Sequence, residues 1–354
     1  MSKFHTLKVK DVRRETSNSV SVALEIPDAL KNDFNYKAGQ YLTVRINING
    51  EDVRRSYSLC SSPDVNEDLR IAVKIVPNGK MSTYINQNLK TGGYIESMSP
   101  EGNFILKNGV ESKHYIGFAA GSGITPIISI IKSVLSKNTE SRFTLFYGNK
   151  SESDTIFKAE LDSLVLQYSR LRVVYLYSRE NKGEELLQGR LMGEKVSPLM
   201  ANYCANSENK EFFLCGPEEM IKQVSDKLVS MGVDKERIHF ELFTTPVSLG
   251  NTDIPVNNFE GISDVTIVMD DESYSFQLNS KGISILDAAM NSGADAPFSC
   301  KGAVCCTCKA KVVEGTAIMD MNYALSDKEV QDGYILTCQS HPASAKLVVS
   351  FDEP

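Results

Sequence analysis

The sequence lacks a basic excess: 38 Lys and Arg stand against 45 Asp and Glu, a net charge of −7. A nucleic-acid-binding protein needs a cationic stripe or patch, so that class of function is set aside. No apolar run is long enough to span a bilayer. Residues 115–135 come nearest, but Gly121, Gly123, Pro126 and Lys132 interrupt them, and the stretch reads as a buried strand followed by a helix. The opening residues, Met1-Ser-Lys-Phe-His-Thr, contain no apolar leader core, and the expected compartment is the cytoplasm. Internal repeats and low-complexity tracts are also missing.

What is present is unevenly distributed. A chain of 354 residues is long for one core and implies two or three domains. Thirteen acidic and six basic residues lie between Gly261 and Pro354, so this last quarter carries the whole net charge and the rest is neutral. An acidic C-terminal face suits docking to a basic partner; ordinary solubilising charge explains it equally well. Of eight cysteines, Cys300, Cys305, Cys306, Cys308 and Cys338 crowd near the C-terminus, while Cys60, Cys204 and Cys215 are scattered. In a chain with no secretion signal such crowding favours metal binding over disulfides.

Three regimes follow one another. Up to about residue 110, short alternating segments (Ser19–Ile26, Tyr41–Ile46, Leu69–Val76) between Gly, Pro and Asn turns predict an antiparallel barrel. From 113 to 245, apolar runs (His114–Ala119, Phe143–Tyr147, Leu171–Tyr177, Glu211–Cys215) alternate with helical stretches (Pro126–Ser136, Pro217–Met231), which predicts a parallel sheet covered by helices. A segment without periodicity follows and reads as a linker. Strands at Val265–Met269, Ser273–Leu278 and Lys346–Phe351 and a helix at Ile285–Ser292 then frame the cysteine loop.

Cys300, Cys305 and Cys308 have the spacing C-x4-C-x2-C, and Cys338 follows after 29 residues. That spacing suits four thiolates around two irons, a plant-type [2Fe–2S] cluster. Gly302 and Ala303 let the backbone curl and aim N–H groups at the sulfurs. A zinc site is the runner-up, but it calls for paired C-x2-C knuckles and only one pair exists. Cys306 reads as a small filler and not as a ligand.

Upstream, Arg55-Ser-Tyr57-Ser58 matches R-x-Y-[ST]. A flavin needs a cation for its pyrophosphate, an aromatic face for its ring and a hydrogen-bonding group near N5, and Arg55, Tyr57 and Ser58 supply them. Gly79-Lys-Met81-Ser82 comes 21 residues after Ser58 at a helix start, where free N–H groups suit a phosphate. Gly121-Ser-Gly123-Ile-Thr125-Pro126 is G-x-G-x-x-P, not the usual G-x-G-x-x-G, yet two glycines still permit close approach to a pyrophosphate. Cys215-Gly216-Pro217 ends a strand at the edge where α/β sheets hold ligands, with Cys215 expected near the nicotinamide; a buried filler is its other reading. Ser178-Arg179 suits the 2′-phosphate of NADPH, and a solvated arginine with NADH as cofactor is the alternative.

With these motifs in this order, the chain resembles the ferredoxin–NADP reductase superfamily with a plant-type ferredoxin domain fused at its C-terminus. The likeness spans residues 4–351 and leans toward reductases of the phenylacetyl-CoA epoxidase type, carried by Arg54-Arg-Ser-Tyr-Ser58, Ala119–Pro126, Tyr147-Gly-Asn149, Ser284–Ala289, Cys300-Lys-Gly302 and Asn322–Leu325. It implies a multidomain fold: an antiparallel β-barrel flavin domain (1–110), an α/β parallel-sheet nucleotide domain (111–247), a linker (248–262) and a β-grasp ferredoxin domain (263–354). It implies FAD at Arg55, Tyr57, Ser58, Gly79, Met81 and Ser82, and a nicotinamide pocket at the G-x-G-x-x-P and C-G-P motifs. Glu241-Leu-Phe243 resembles the E-x-F segment that closes the nucleotide domain near the flavin. Catalytic roles fall on Ser58 and Cys215, and iron ligation on Cys300, Cys305, Cys308 and Cys338. NADPH would deliver a hydride, and single electrons would leave through the cluster to an oxygenase protein. That acceptor is separate: a di-iron carboxylate site needs two Glu-x-x-His motifs on helices, and only Glu111-Ser-Lys-His114 fits, once. A reductase for another oxygenase, or a non-enzymatic redox scaffold, are the competing readings.

Overall fold

Alternating burial along the first strands builds the first unit. The computed structural model describes residues 3–106, 113–205, 209–244 and 257–353. Six antiparallel strands, β1 (His5–Thr16), β2 (Ser19–Glu25), β3 (Tyr41–Ile48), β4 (Glu51–Ser58), β5 (Leu69–Lys74) and β6 (Tyr94–Ser97), lie in the order β4-β3-β6-β1-β2-β5. A bridge between Leu59 and Ile71 joins the two ends of that order and closes the sheet into a barrel. Val20, Val22, Leu42, Val44, Ile71 and Val73 fill it, with Met81 and Ile85 from α1 (Lys80–Gln87). Asn49 and Gly50 connect β3 to β4, both in the left-handed region (φ 55° and 85°), as a two-residue hairpin requires. That turn sets the pairs Arg45–Arg54, Thr43–Ser56 and Tyr41–Ser58.

The second unit is a parallel sheet: β7 (His114–Ala120), β8 (Arg142–Asn149), β9 (Leu171–Tyr177), β10 (Lys210–Cys215) and β11 (Ile238–Glu241), ordered β11-β10-β7-β8-β9. Strands buried on both faces read as unbroken apolar runs, which is why the sequence located four of them closely. The helices α2 (Ile124–Lys137), α3 (Lys158–Gln167), α4 (Gly193–Tyr203) and α5 (Glu218–Ser230) accompany it. The order reverses between β7 and β10, and ligand crevices form at the carboxyl ends of strands flanking such a point. G-x-G-x-x-P follows β7 and C-G-P follows β10. His114 of the isolated Glu-x-x-His match is a β7 residue. Its ring bonds Thr144 at 2.8 Å, and burial lowers it to about 4, which marks a core histidine. Glu111 lies outside the described residues.

The third unit is a mixed sheet ordered β13-β12-β18-β14-β16, with β15 and β17 paired separately. Its strands are β12 (Ile262–Met269), β13 (Glu272–Asn279), β14 (Lys309–Glu314), β15 (Ala317–Met319), β16 (Tyr334–Leu336), β17 (Ser340–Pro342) and β18 (Lys346–Ser350). Ser284 caps α6 (Ile285–Asn291), and Ser326 and Glu329 form a capping box on α7 (Asp327–Gln331). The expected linker begins at 248, and its 248–256 portion lies outside the described residues. Among the described residues no helix is long and apolar enough to cross a membrane.

Candidate functional site

One cavity of about 1030 Å³ gathers residues from all three units. From β4 come Arg55, Ser56, Tyr57 and Ser58; from the start of α1, Gly79, Met81 and Ser82. Gly121, Ser122 and Thr125 line it after β7, Gly216 and Pro217 after β10, and Glu241 and Phe243 at the end of β11. Phe298, Ser299, Cys300 and Cys305 close it from the cysteine loop. The sequence motifs, spread over 250 positions, therefore share one chamber.

The reacting edge is built from three strands. Parallel pairing of β10 with β11 sets Cys215 beside Glu241. Ser58 Oγ donates a hydrogen bond of 2.9 Å to Glu241 Oε2 across the gap between barrel and sheet. Burial pushes the Glu241 carboxyl up to about 8, against the lowering effect of the Ser58 bond. Cys215 itself is fully buried among Ala119, Ile124 and Phe213 and does not line the cavity. Burial, then the Glu241 charge, raise its thiol.

The glycines divide the work differently from the sequence expectation. Gly121 is left-handed (φ 54°) and lines the wall. Gly123 has ordinary helical angles and faces protein: a Cβ there would sit 2.0 Å from the Cys215 carbonyl oxygen. Its missing side chain lets the two nucleotide motifs touch. Pro126 is buried in the first turn of α2, outside the cavity lining. The Met81 side chain is buried in the barrel core. Ser82 Oγ is held between the Val76 N–H and the Gly79 carbonyl, at 3.3 and 3.2 Å.

Cations concentrate on the same walls. Arg55, Lys74, Lys150 and Arg190 line the cavity, and none forms an ion pair among the described residues. Burial and the like charge of Lys150 lower the Lys74 ammonium. An anionic pyrophosphate relieves that repulsion, so the wall fits a dinucleotide. Ser178 lines the cavity, whereas Arg179 is exposed and does not; Arg190 stands there instead. Lys74 and Lys150 at strand ends and Arg190 in the loop before α4 were missed because lone basic residues carry no spacing signal.

The cysteines form two pairs. Cys305 and Cys300 sulfurs lie 3.1 Å apart, and the Cys308 and Cys338 thiols hydrogen-bond each other. Two pairs suit two irons. Lys301 and Ala303 are left-handed (φ 51° and 62°), and this strained alternation turns N–H groups inward as an anion nest. The Gly302 N–H reaches Cys300 Sγ at 3.3 Å, those of Val304 and Cys305 also bond Cys300, and that of Ala303 bonds Cys338. The hydrogen bond from Cys305, then these N–H groups, lower the Cys300 thiol to about 6 despite burial. The residues fit the cluster. Cys306 points elsewhere: its sulfur lies 3.5 Å from the Ala324 carbonyl oxygen.

Comparison with known proteins agrees with this geometry. Residues 6–105 match the oxidoreductase FAD-binding domain, 118–226 the oxidoreductase NAD-binding domain, and 267–343 the 2Fe-2S iron-sulfur cluster binding domain. A component of the 1,2-phenylacetyl-CoA epoxidase of Escherichia coli K12 is 37% identical over 99% of this chain and 99% of its own. The chain belongs to the ferredoxin–NADP reductase superfamily, in its branch with a fused [2Fe–2S] domain. The reductase is also 31% identical to the ferredoxin reductase component of 3-ketosteroid-9-alpha-monooxygenase from Rhodococcus rhodochrous, over 98% of this chain and 96% of that one. In fold it is similar to phthalate dioxygenase reductase, with a TM-score of 0.60, 24% identity and 98% of both chains covered. This reductase uses a nicotinamide dinucleotide, FAD and a [2Fe–2S] cluster, and carries electrons in that order.

Proposed function

We propose that this reductase draws electrons from NADPH and delivers them one at a time to a di-iron oxygenase of the phenylacetyl-CoA epoxidase type, in the cytoplasm. The observation that carries the electron route is the single cavity walled by the R-x-Y-S strand, the C-G-P turn and the cysteine loop. The choice of acceptor rests on the end-to-end likeness to the epoxidase component. The functional units are 1–110, 111–247 and 263–354, joined by 248–262.

When bound, FAD accepts the hydride pair and the cluster stores single electrons, which is how a two-electron donor feeds a one-electron acceptor. The residues do the rest. Arg55 and the α1 start at Gly79, Met81 and Ser82 hold the flavin phosphates; Tyr57 and Phe243 offer aromatic faces to its ring. Ser58 directs its hydroxyl at the reacting edge while anchored on Glu241. Gly121, Gly123, Thr125 and Pro126 shape the dinucleotide turn, and Gly216 and Pro217 form the nicotinamide wall that buried Cys215 backs. Lys74 and Lys150 meet the pyrophosphate; Ser178 and Arg190, with Arg179 at the rim, recognise the 2′-phosphate. Cys300 and Cys305 hold one iron, Cys308 and Cys338 the other.

Anaerobic titration with NADPH and with NADH tests this reading. Bleaching of flavin and cluster bands at lower NADPH than NADH is the expected result. Bound groups that neither nucleotide reduces would overturn it. Reconstitution with epoxidase and with steroid hydroxylase components then decides the acceptor by coupled NADPH consumption.

A further inference from the structure

The hairpin that supplies the flavin motif also has an outward polar face that grips the third unit. The β3–β4 register places Arg45 with Arg54, Thr43 with Ser56, and Tyr41 with Ser58. The first two pairs and Tyr41 all reach the cysteine-loop unit. Arg54 Nη2 bonds Asp295 at 2.6 Å, and Arg45 lies 3.7 Å from the same carboxylate. Ser56 Oγ bonds Ser299 Oγ at 2.8 Å, and Thr43 Oγ1 bonds Thr307 Oγ1 at 3.0 Å. The Tyr41 hydroxyl accepts the Cys306 N–H at 2.9 Å. These contacts bracket Cys300 and Cys305 on both sides in sequence.

Arg54 is the best-anchored rung. Its side chain is only 4% exposed, is also held by Asp52 at 2.8 Å, reaches the Ala296 carbonyl at 3.5 Å and stacks 4.6 Å over the Phe298 ring. A guanidinium suits this because one rigid fork serves several acceptors and a ring face at once. Its neighbour Arg55 lines the cavity and Arg54 does not. The two adjacent arginines thus look to different tasks, one to the flavin phosphates and one to the segment leading into Cys300.

We propose that this polar face is an electron-transfer dock and that Arg54 is its positioning residue, holding the cluster loop at the flavin edge through Asp295 and Phe298. The proposal rests on the flavin lying against β4. Losing Arg54 frees residues 295–299, and with them Cys300, to drift from the cavity wall, while the nucleotide motifs stay in place. Electron transfer falls off exponentially with the gap between donor and acceptor, so drift of the cluster loop slows cluster reduction while hydride transfer to the flavin is untouched.

The test uses the full-length holoprotein as Arg54→Met, Arg54→Lys and Asp295→Asn, the last at a side chain that is 68% exposed and tolerant of change. Stopped-flow absorbance under anaerobic conditions separates flavin bleaching by NADPH from the later bleaching of the cluster. Ferricyanide reduction reports flavin turnover and cytochrome c reduction reports turnover through the cluster. The expected result is flavin reduction at the wild-type rate in all three, and cluster reduction slowed severalfold in Arg54→Met, with the other two in between. Unchanged cluster reduction in both Arg54→Met and Asp295→Asn overturns the dock. Loss of flavin from Asp295→Asn would instead overturn the placement of the flavin on which the proposal rests.

Discussion

Replacing Gly123 by alanine isolates one physical cause. Gly123 has φ −63° and ψ −7°, angles that alanine adopts without strain, so backbone conformation predicts no penalty. Contact predicts a large one. The new Cβ would meet the Cys215 carbonyl oxygen at 2.0 Å, its carbon at 2.4 Å and the Gly216 nitrogen at 2.8 Å. Optimal heavy-atom separation is about 3.5 Å, so the two turns must part by more than 1 Å, and backbone cannot rotate aside as a side chain can. Overpacking of this kind costs roughly 1–3 kcal/mol, expected as a fall of several degrees in Tm. The parting turns carry Gly121 and Thr125 on one side and Gly216 and Pro217 on the other, so the dinucleotide wall opens. Hydride transfer from NADPH is expected to fall about 10²-fold, with flavin content unchanged. Stopped-flow reduction and thermal unfolding measure both effects. A variant with wild-type Tm and wild-type flavin reduction would refute the claim that this glycine exists for contact between the motifs.

Other outcomes follow from the same geometry. Ser58→Ala removes the hydroxyl that stabilises the Glu241 anion, so that carboxyl rises further above its value of about 8; a pH profile of flavin reduction whose upper limb stays put would contradict this. Cys306→Ser is expected to retain full iron and the visible cluster spectrum, whereas Cys305→Ser loses both, as iron assay will show. Glu101 is enclosed with Oε2 unpartnered, and burial lifts it to about 7. A carboxyl raised on folding stabilises fully below its unfolded pKa, and that contribution is lost as pH rises through about 7. Glu101→Gln should therefore match wild type near pH 4 and exceed it by up to about 3 kcal/mol above pH 8; equal denaturation midpoints at both pH values would contradict it.

Local patterns were legible in the sequence. Leu171–Tyr177 and Glu211–Cys215 are apolar because parallel strands are covered on both faces, and β9 and β10 run where those residues stand. The cysteine spacing depends on a loop of near-continuous chain, so it pointed to two irons before any geometry was known. Short strands such as Ala317–Met319 and the Pro198-containing α4 escaped because they are too brief or too irregular for a period to emerge.

Relations between distant segments were not legible. Ser58 meets Glu241 across 183 positions, and Arg54 meets Asp295 across 241, and neither pairing has a signature in either segment. Sequence alone pointed to a flavin, a dinucleotide and a cluster, because each motif is a local answer to a local chemical demand. The tertiary structure decided which glycine serves protein contact, that Arg190 and not Arg179 lines the cavity, and that Cys215 stands behind the wall and not on it. Those outcomes depend on how three units pack, and packing is a property of surfaces brought together from the whole chain.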